Sequence, residues 1–444
     1  MTREPRPPSV KANDPKPAVL ELTSTFPRWK RDVEPPFVHE LARRLNDSFD
    51  VHVLAPHAPG SKRHEILDGV HVHRFRYAPI TLERLAYQGG ILANLKKYPA
   101  LGGLVPLFLA AQLLAAVRLL AWHGFQIIHA HWIFPQGMIA LLARALSRSR
   151  AKVLCTSHGG DLYGLKGTVF RWVKKMVIDA CDHLTVVSHS MRGELMKLGV
   201  DSRKVSVIPM GVDLQRRFVP PTVPSRTESL LFVGRLVEKK GLRYLLEAMP
   251  KIIERYRQAQ LTVVGDGPNR HDLEKLVKGL GLRAHVQFLG ALNNDELTAI
   301  YQRAKIVVFP SVVSDDGDRE GFGLVLVEAM GCGCAAVVTD LSAMMDIVQG
   351  GKTAIVVRQK NPDEIATAVI RLLNDPELRS AMAREGRRKV LESFDWRVIV
   401  PRYRAVLDTA IKAAGSGLAE MELICVAGVS AKAKYTLETT SKRN

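Results

Sequence analysis

Short apolar runs alternate with longer amphipathic stretches along most of this chain. In the first half, residues 18–22, 50–54, 126–130, 152–156 and 184–187 read as strands, and 36–45 as a helix. In the second half, strands at 230–233, 261–264, 285–288 and 306–309 alternate with helices at 242–255, 272–278 and 295–303. Brief, nearly all-apolar strands between helices belong to parallel sheets covered on both faces. The pattern predicts an α/β protein built of two doubly wound, Rossmann-like domains. Ligands of such sheets bind at the carboxyl ends of the strands, so the domains should share a central cleft.

The boundaries follow from changes in composition. Residues 1–17, rich in Pro and charge and without an apolar segment, read as a disordered basic arm. The N-terminal domain is expected over 18–214, a Pro- and charge-rich linker over 215–228, and the C-terminal domain over 229–393. A last helix over 394–413 is placed to cross back to the N-terminal domain, and 414–444 reads as a tail.

Composition narrows the picture further. Five scattered cysteines (155, 181, 332, 334, 425) form no metal or disulfide pattern and read as reduced thiols. The formal charge of +19 is concentrated in residues 1–200, where 27 Lys and Arg face 15 Asp and Glu. That asymmetry suits an anionic partner such as a membrane surface. The basic residues are not interleaved with aromatics and no nucleic-acid motif accompanies them, so nucleic acid is not expected. Residues 101–122 form one long apolar stretch interrupted by Pro106, Gln112 and Arg118, which favours a buried or membrane-skimming helix over a spanning one.

The candidate chemistry centres on Glu320-Gly-Phe-Gly-Leu-Val-Leu-Val-Glu328. Two carboxylates bracket a glycine turn and a helix start, where free N–H groups accept an anion. A carboxylate beside an anion site repels phosphate and prefers hydroxyls, which points to a nucleotide sugar; a loop Glu followed by an ordinary buried helix would look the same. Gly234-Arg235 through Lys240-Gly241 leaves a strand end carrying two cations suited to a diphosphate. Gly265-Asp266-Gly267 offers a close wall for a flat ligand, and Pro310 ends the next strand; each also fits a plain βα turn. His158, followed by two glycines and Asp161, is poised at a strand end to meet sugar hydroxyls, and Asp161 is a candidate for the acceptor side. His129 and His131 share a strand face but lack a third metal ligand in the sequence, so His131 is assigned instead to the acceptor side of the cleft.

Taken in order on alternating strands and helices, these elements resemble the family-four retaining glycosyltransferases of the GT-B fold, of the surface-polysaccharide type. The resemblance runs from about residue 20 to 407 and includes Ile208-Pro-Met-Gly-Val-Asp213. It implies that Glu320 binds the donor hexose, with the Phe322 and Gly323 backbone and the Leu324–Val325 helix start beside sugar and phosphate. Glu328 would hold the ribose, Arg235 and Lys240 the diphosphate, and His158 the sugar near its reacting carbon. It further implies transfer with retention, no metal ion or other cofactor, and a glycan or lipid-linked acceptor met at the cytoplasmic face of the membrane.

Two departures from the family pattern stand out. Relatives carry Gly-Gly and then Glu where this chain has Ser342-Ala343 and Asp346. The first strand–helix loop carries Arg28, Lys30 and Arg31 around Trp29 instead of Gly-Gly, a set suited to a headgroup or pyrophosphate-lipid acceptor. A nucleotide-sugar epimerase and a non-catalytic relative of the same fold are the rival readings.

Overall fold

The computed structural model describes residues 15–30, 32, 34, 36–87, 89–222 and 229–415. The expected arm (apart from 15–17), the linker's second part and the tail from 416, with Cys425, lie outside the described residues, as does Arg31.

Two sheets form. The first contains β1 (Ala18–Leu22), β2 (Asp50–Pro56), β3 (His64–Leu67), β4 (Val70–Phe75), β5 (Ile127–His131), β6 (Lys152–Ser157), β7 (His183–Val186) and β8 (Val205–Val207), in the order β3-β4-β2-β1-β5-β6-β7-β8. Only β3 pairs antiparallel, as a hairpin with β4 that the apolar pattern did not disclose. The second contains β9 (Ser229–Val233), β10 (Gln260–Val264), β11 (Val286–Gly290), β12 (Ile306–Phe309), β13 (Ala335–Thr339) and β14 (Ile355–Val357), all parallel, in the order β11-β10-β9-β12-β13-β14. Every residue of β12 and β13 is buried, as helices on both faces require. The strand order reverses between β1 and β5 in one sheet and between β9 and β12 in the other. Those two switch points face the cleft.

The helix Trp396–Gly415 follows the second sheet but packs on the first. Its residues Trp396, Ile399, Tyr403 and Leu407, at helical spacing, bury against Val19, Phe26 and Leu41. Tyr403 Oη donates to the Ile208 carbonyl at 3.2 Å, and Arg402 to that of Val207 at 2.6 Å. Further contacts cross the cleft. Arg319 pairs with Glu194 at 3.0 Å, and the His189 N–H donates to Asp346 at 2.6 Å.

Pro99–Trp122 is the one helical stretch among the described residues that is long and apolar enough to cross a membrane. Of the two settings expected for it, buried or membrane-skimming, full burial is not found, because only a stripe of Phe108, Gln112, Ala116 and Leu120 faces the domain. Gln112 anchors that stripe by donating to the Thr23 carbonyl at 3.2 Å. The opposite side carries Leu107, Leu114 and Trp122 to the surface, with Trp122 82% exposed. Val169 and Trp172 of the helix Thr168–Ala180 are exposed as well.

Candidate active site

The C-terminal wall is built where β9 and β12 end. The Gly234 N–H donates to the Val264 carbonyl at 3.0 Å and starts the loop that carries Arg235 and Lys240. Gly241 closes that loop at φ 66°, and a Cβ there would stand 1.8 Å from the Pro310 oxygen, so only glycine fits. Gly265-Asp266-Gly267 buttresses the loop from behind. The Asp266 carbonyl accepts the Leu236 N–H at 3.0 Å, and its carboxylate takes the Gly267 N–H at 2.8 Å.

Neither cation expected for a diphosphate stands idle. Lys240 makes a short ion pair with Glu320, the carboxylate expected for the sugar. Arg235 reaches across the cleft and donates to the Gly89 carbonyl at 3.0 Å. Burial pushes the Glu320 carboxyl up, but Lys240, Lys239 and the Phe322 N–H together hold it below the usual range. Glu320 is therefore ionised.

The helix Leu324–Gly331 begins at Gly323, whose φ of 113° turns the chain into it. The Phe322 ring points away and packs on Phe394, with centroids 5.3 Å apart, which leaves only its backbone toward the cleft. Leu324 and Val325 are half-buried in the first helical turn. Met344 covers Gly323, where a Cβ would lie 2.8 Å from Met344 Cε. The divergent 342–346 segment thus lies directly against the helix start. Glu328 is 8% exposed, and its carboxylate accepts from Tyr301 Oη at 3.1 Å. Burial pushes its carboxyl up to about 7, against the pull of Tyr301 and Arg217.

The N-terminal wall presents His158, just past the end of β6. It meets the Glu320 loop at two glycines: a Cβ on Gly159 would lie 2.9 Å from Gly321 Cα, and one on Gly321 2.9 Å from the His158 oxygen. His158 is held by Phe37 and Trp132, with ring centroids at 4.9 and 5.1 Å. Its Nε2 lies 3.1 Å from His131 Nδ1. Burial, then the neighbouring His131 and His129, push the His158 imidazole well below its usual range and keep it neutral.

Three acceptor-side assignments are corrected. His131 is wholly buried and backs His158 instead of lining the cleft. Asp161 is also buried; it accepts the Ile133 N–H at 2.6 Å and the Ser157 hydroxyl at 2.8 Å, bracing the turn after β5. Arg28 is neutralised by a bidentate pair with Asp32 at 2.6 and 2.8 Å, and its guanidinium stacks on Trp29 at 4.4 Å. Trp29 and Lys30 remain exposed.

Sequence reasoning missed Glu21. Register pairs it with His129 across β1 and β5. Its two oxygens stand 3.6 Å from His129 Nδ1 and 3.6 Å from His131 Nε2, all fully buried. The third ligand-type group held to be lacking beside His129 and His131 is thus present. Burial pushes the Glu21 carboxyl up, but both histidines outweigh it and hold it at about 2. A carboxylate on the Nε2 side of His131 favours the proton there. His131 Nδ1 then accepts from His158 Nε2–H, which fixes the His158 tautomer. The signal in the sequence was a lone Glu inside the otherwise apolar run Ala18–Leu22.

Comparison with known proteins identifies the family and the fold. Residues 36–216 match the family described as Glycosyltransferase Family 4, and residues 216–389 match Glycosyl transferases group 1. The chain belongs to the family-four glycosyltransferases. An uncharacterised glycosyltransferase of Methanocaldococcus jannaschii is 31% identical over 65% of this chain and 77% of its own. The GDP-mannose-dependent alpha-(1-6)-phosphatidylinositol monomannoside mannosyltransferase of Mycobacterium tuberculosis is 30% identical over 63% and 74%. Among solved structures, the sucrose-phosphate synthase of Thermosynechococcus elongatus superposes with a TM-score of 0.72 at 21% identity, over 90% of this chain and 100% of that one. HepE of Anabaena, solved with UDP and glucose, gives 0.67 at 17%, over 88% and 99%. The expected GT-B architecture of this glycosyltransferase is thereby established.

Proposed function

We propose that this glycosyltransferase moves a hexose, with retention of configuration, from a nucleoside-diphosphate sugar to a lipid-linked or surface-glycan acceptor. The observation that carries the reading is the Lys240–Glu320 ion pair, set at one switch point and facing His158 across the Gly159–Gly321 contact. Donor binding splits this pair: phosphate takes Lys240 and Arg235, while hexose hydroxyls donate to Glu320. Arg235 exchanges the Gly89 carbonyl for phosphate at the same time. As the bond from C1 to the phosphate oxygen breaks, the acceptor oxygen bonds C1 on the same face and its proton passes to the leaving phosphate. Lysine, arginine and the helix start at Leu324 stabilise the charge that grows there. Neutral His158 orients the sugar. Glu328 receives the ribose diol, and the reaction is assigned no metal or other cofactor.

The acceptor side belongs to the N-terminal domain, where Trp29 and Lys30 stand exposed beside the cleft loop. The exposed face of Val105–Trp122, together with exposed Trp172 in the chain's basic first half, suits peripheral contact with the anionic inner face of the membrane. A mannosyltransferase acting on a phosphatidylinositol mannoside among the relatives makes GDP-mannose the first donor to try.

Thermal shift against a panel of nucleoside-diphosphate sugars tests the donor. One of them should raise the melting temperature with saturation, and a flat response to all of them removes the reading. Flotation with anionic liposomes at low salt tests the membrane contact; protein that remains in the soluble fraction contradicts it.

A further inference from the structure

Five of the chain's 14 histidines gather at one corner of the first sheet, away from the cleft. The strand registers bring them there. His52 of β2 is paired with His71 of β4, and His73 of β4 with His64 of β3. Asp50, two residues before His52, shares its face because side chains alternate along a strand. His123, at the end of the helix Val105–Trp122, adds its ring 5.1 Å from that of His52. Asp50 opens β2 and His71 is the second residue of β4, so the cluster lies at the end of the sheet opposite the catalytic groups.

We infer that Asp50, His52 and His71 form a zinc-binding site. One ligand atom from each lies within 4.8 Å of the other two. Asp50 Oδ2 is 3.4 Å from His52 Nε2, and Oδ1 is 3.9 Å from His71 Nε2. Those separations are long for hydrogen bonds, yet two ligands of one tetrahedral zinc stand about 3.4 Å apart, given bonds of roughly 2.1 Å. Two imidazoles and a carboxylate are a donor set zinc accepts, with water completing the shell.

The surroundings supply what a metal-bound histidine needs. A ligating imidazole donates its second N–H to a partner that fixes its tautomer. His52 Nδ1 lies 3.0 Å from His73 Nε2, and His73 Nδ1 lies 3.2 Å from His64 Nδ1. With the His52 proton on Nδ1, its Nε2 lone pair aims at the Asp50 carboxylate, and a cation between them resolves the repulsion. Asp50 and His71 are half-exposed, at 46% and 44%, which gives the ion a route from solvent. The ion ties β2 to the β3–β4 hairpin, beside the end of the exposed apolar helix. Without metal, the reversed tautomer chain would end in a plain His52–Asp50 hydrogen bond, and the experiment separates the two.

Tag-free full-length protein, stripped with chelator, is dialysed against zinc chloride, and bound metal is measured by mass spectrometry. Saturable uptake of one zinc per chain is expected, together with a zinc-dependent rise in melting temperature. Asp50→Asn and His71→Gln, both at half-exposed positions, should each weaken uptake at least about tenfold. His73→Gln should weaken it by a similar order through the tautomer. Melting temperatures in chelator keep a folding defect distinguishable from a lost ligand. Uptake that does not saturate at one equivalent, or that Asp50→Asn and His71→Gln leave unchanged, overturns the inference.

Discussion

Glu328→Gln separates what the fold gains from what the proposed site needs. The Glu328 carboxyl is 8% exposed and sits at about 7 in the folded protein, against an ordinary 4.5. At 1.36 kcal/mol per pH unit, that displacement corresponds to about 3 kcal/mol. The folded state binds the proton more tightly than the unfolded chain. The favourable contribution of the protonated form is therefore fully present below pH 4.5 and is lost as pH rises through 7. Glutamine keeps an acceptor for Tyr301 Oη and never ionises. The variant should exceed the parent in stability by about 1 kcal/mol at pH 5 and about 3 kcal/mol at pH 8, with no further change above. Urea unfolding at the two pH values, followed by a probe in the C-terminal domain, reads the difference. Nucleotide binding should move the other way: parent affinity rises with pH through 7 as the carboxylate proposed for the ribose ionises, while the variant binds weakly and without pH dependence. A stability gain that is the same at pH 5 and pH 8, or a variant with parental nucleotide affinity, refutes the reasoning.

Other changes probe the remaining groups. Glu320→Ala should reduce transfer by at least about 10²-fold with the melting temperature preserved, while the released Lys240 binds sugar-free nucleoside diphosphate as well as before or better; retained transfer contradicts the assignment. Glu21→Gln should lower kcat by about 10²-fold with little change in donor KM, because His131 no longer holds the His158 ring, and equal kcat would remove Glu21 from the site. Gly159→Ala, which forces a methyl against Gly321 Cα, should hold the two walls apart and reduce transfer without loss of either domain's fold, as measured by transfer rate beside circular dichroism. Trp122→Ser combined with Trp172→Ser should reduce liposome flotation and leave donor binding unchanged.

Much of the architecture is written in local pattern. Parallel strands buried on both faces need unbroken apolar runs, and β9 and β12 show them plainly; the glycine turn at 241 is equally legible. The hairpin β3–β4 was invisible because His64–Leu67 and Val70–Phe75 alternate with polar residues at a sheet edge and mimic loop. That same alternation hid the histidine cluster, which exists only once register brings three strands together. Partnership across the chain was hidden in the same way. Glu21 reads as one polar residue in a strand until β5 is laid beside β1. Asp161 reads as a cleft residue until the Ile133 N–H is placed against it. Arg28 reads as a free cation, although Asp32 stands four residues on and claims it. Residue types at strand ends marked the cleft, but burial decided which of them face it.

The most direct test of the central claim is product analysis with GDP-mannose and the other nucleoside-diphosphate hexoses, using a membrane lipid extract as acceptor. The account predicts a hexosylated lipid whose anomeric configuration, read by NMR, matches that of the donor, and no such product from Glu320→Ala. An inverted linkage, an epimerised donor without transfer, or donor binding without turnover would contradict it.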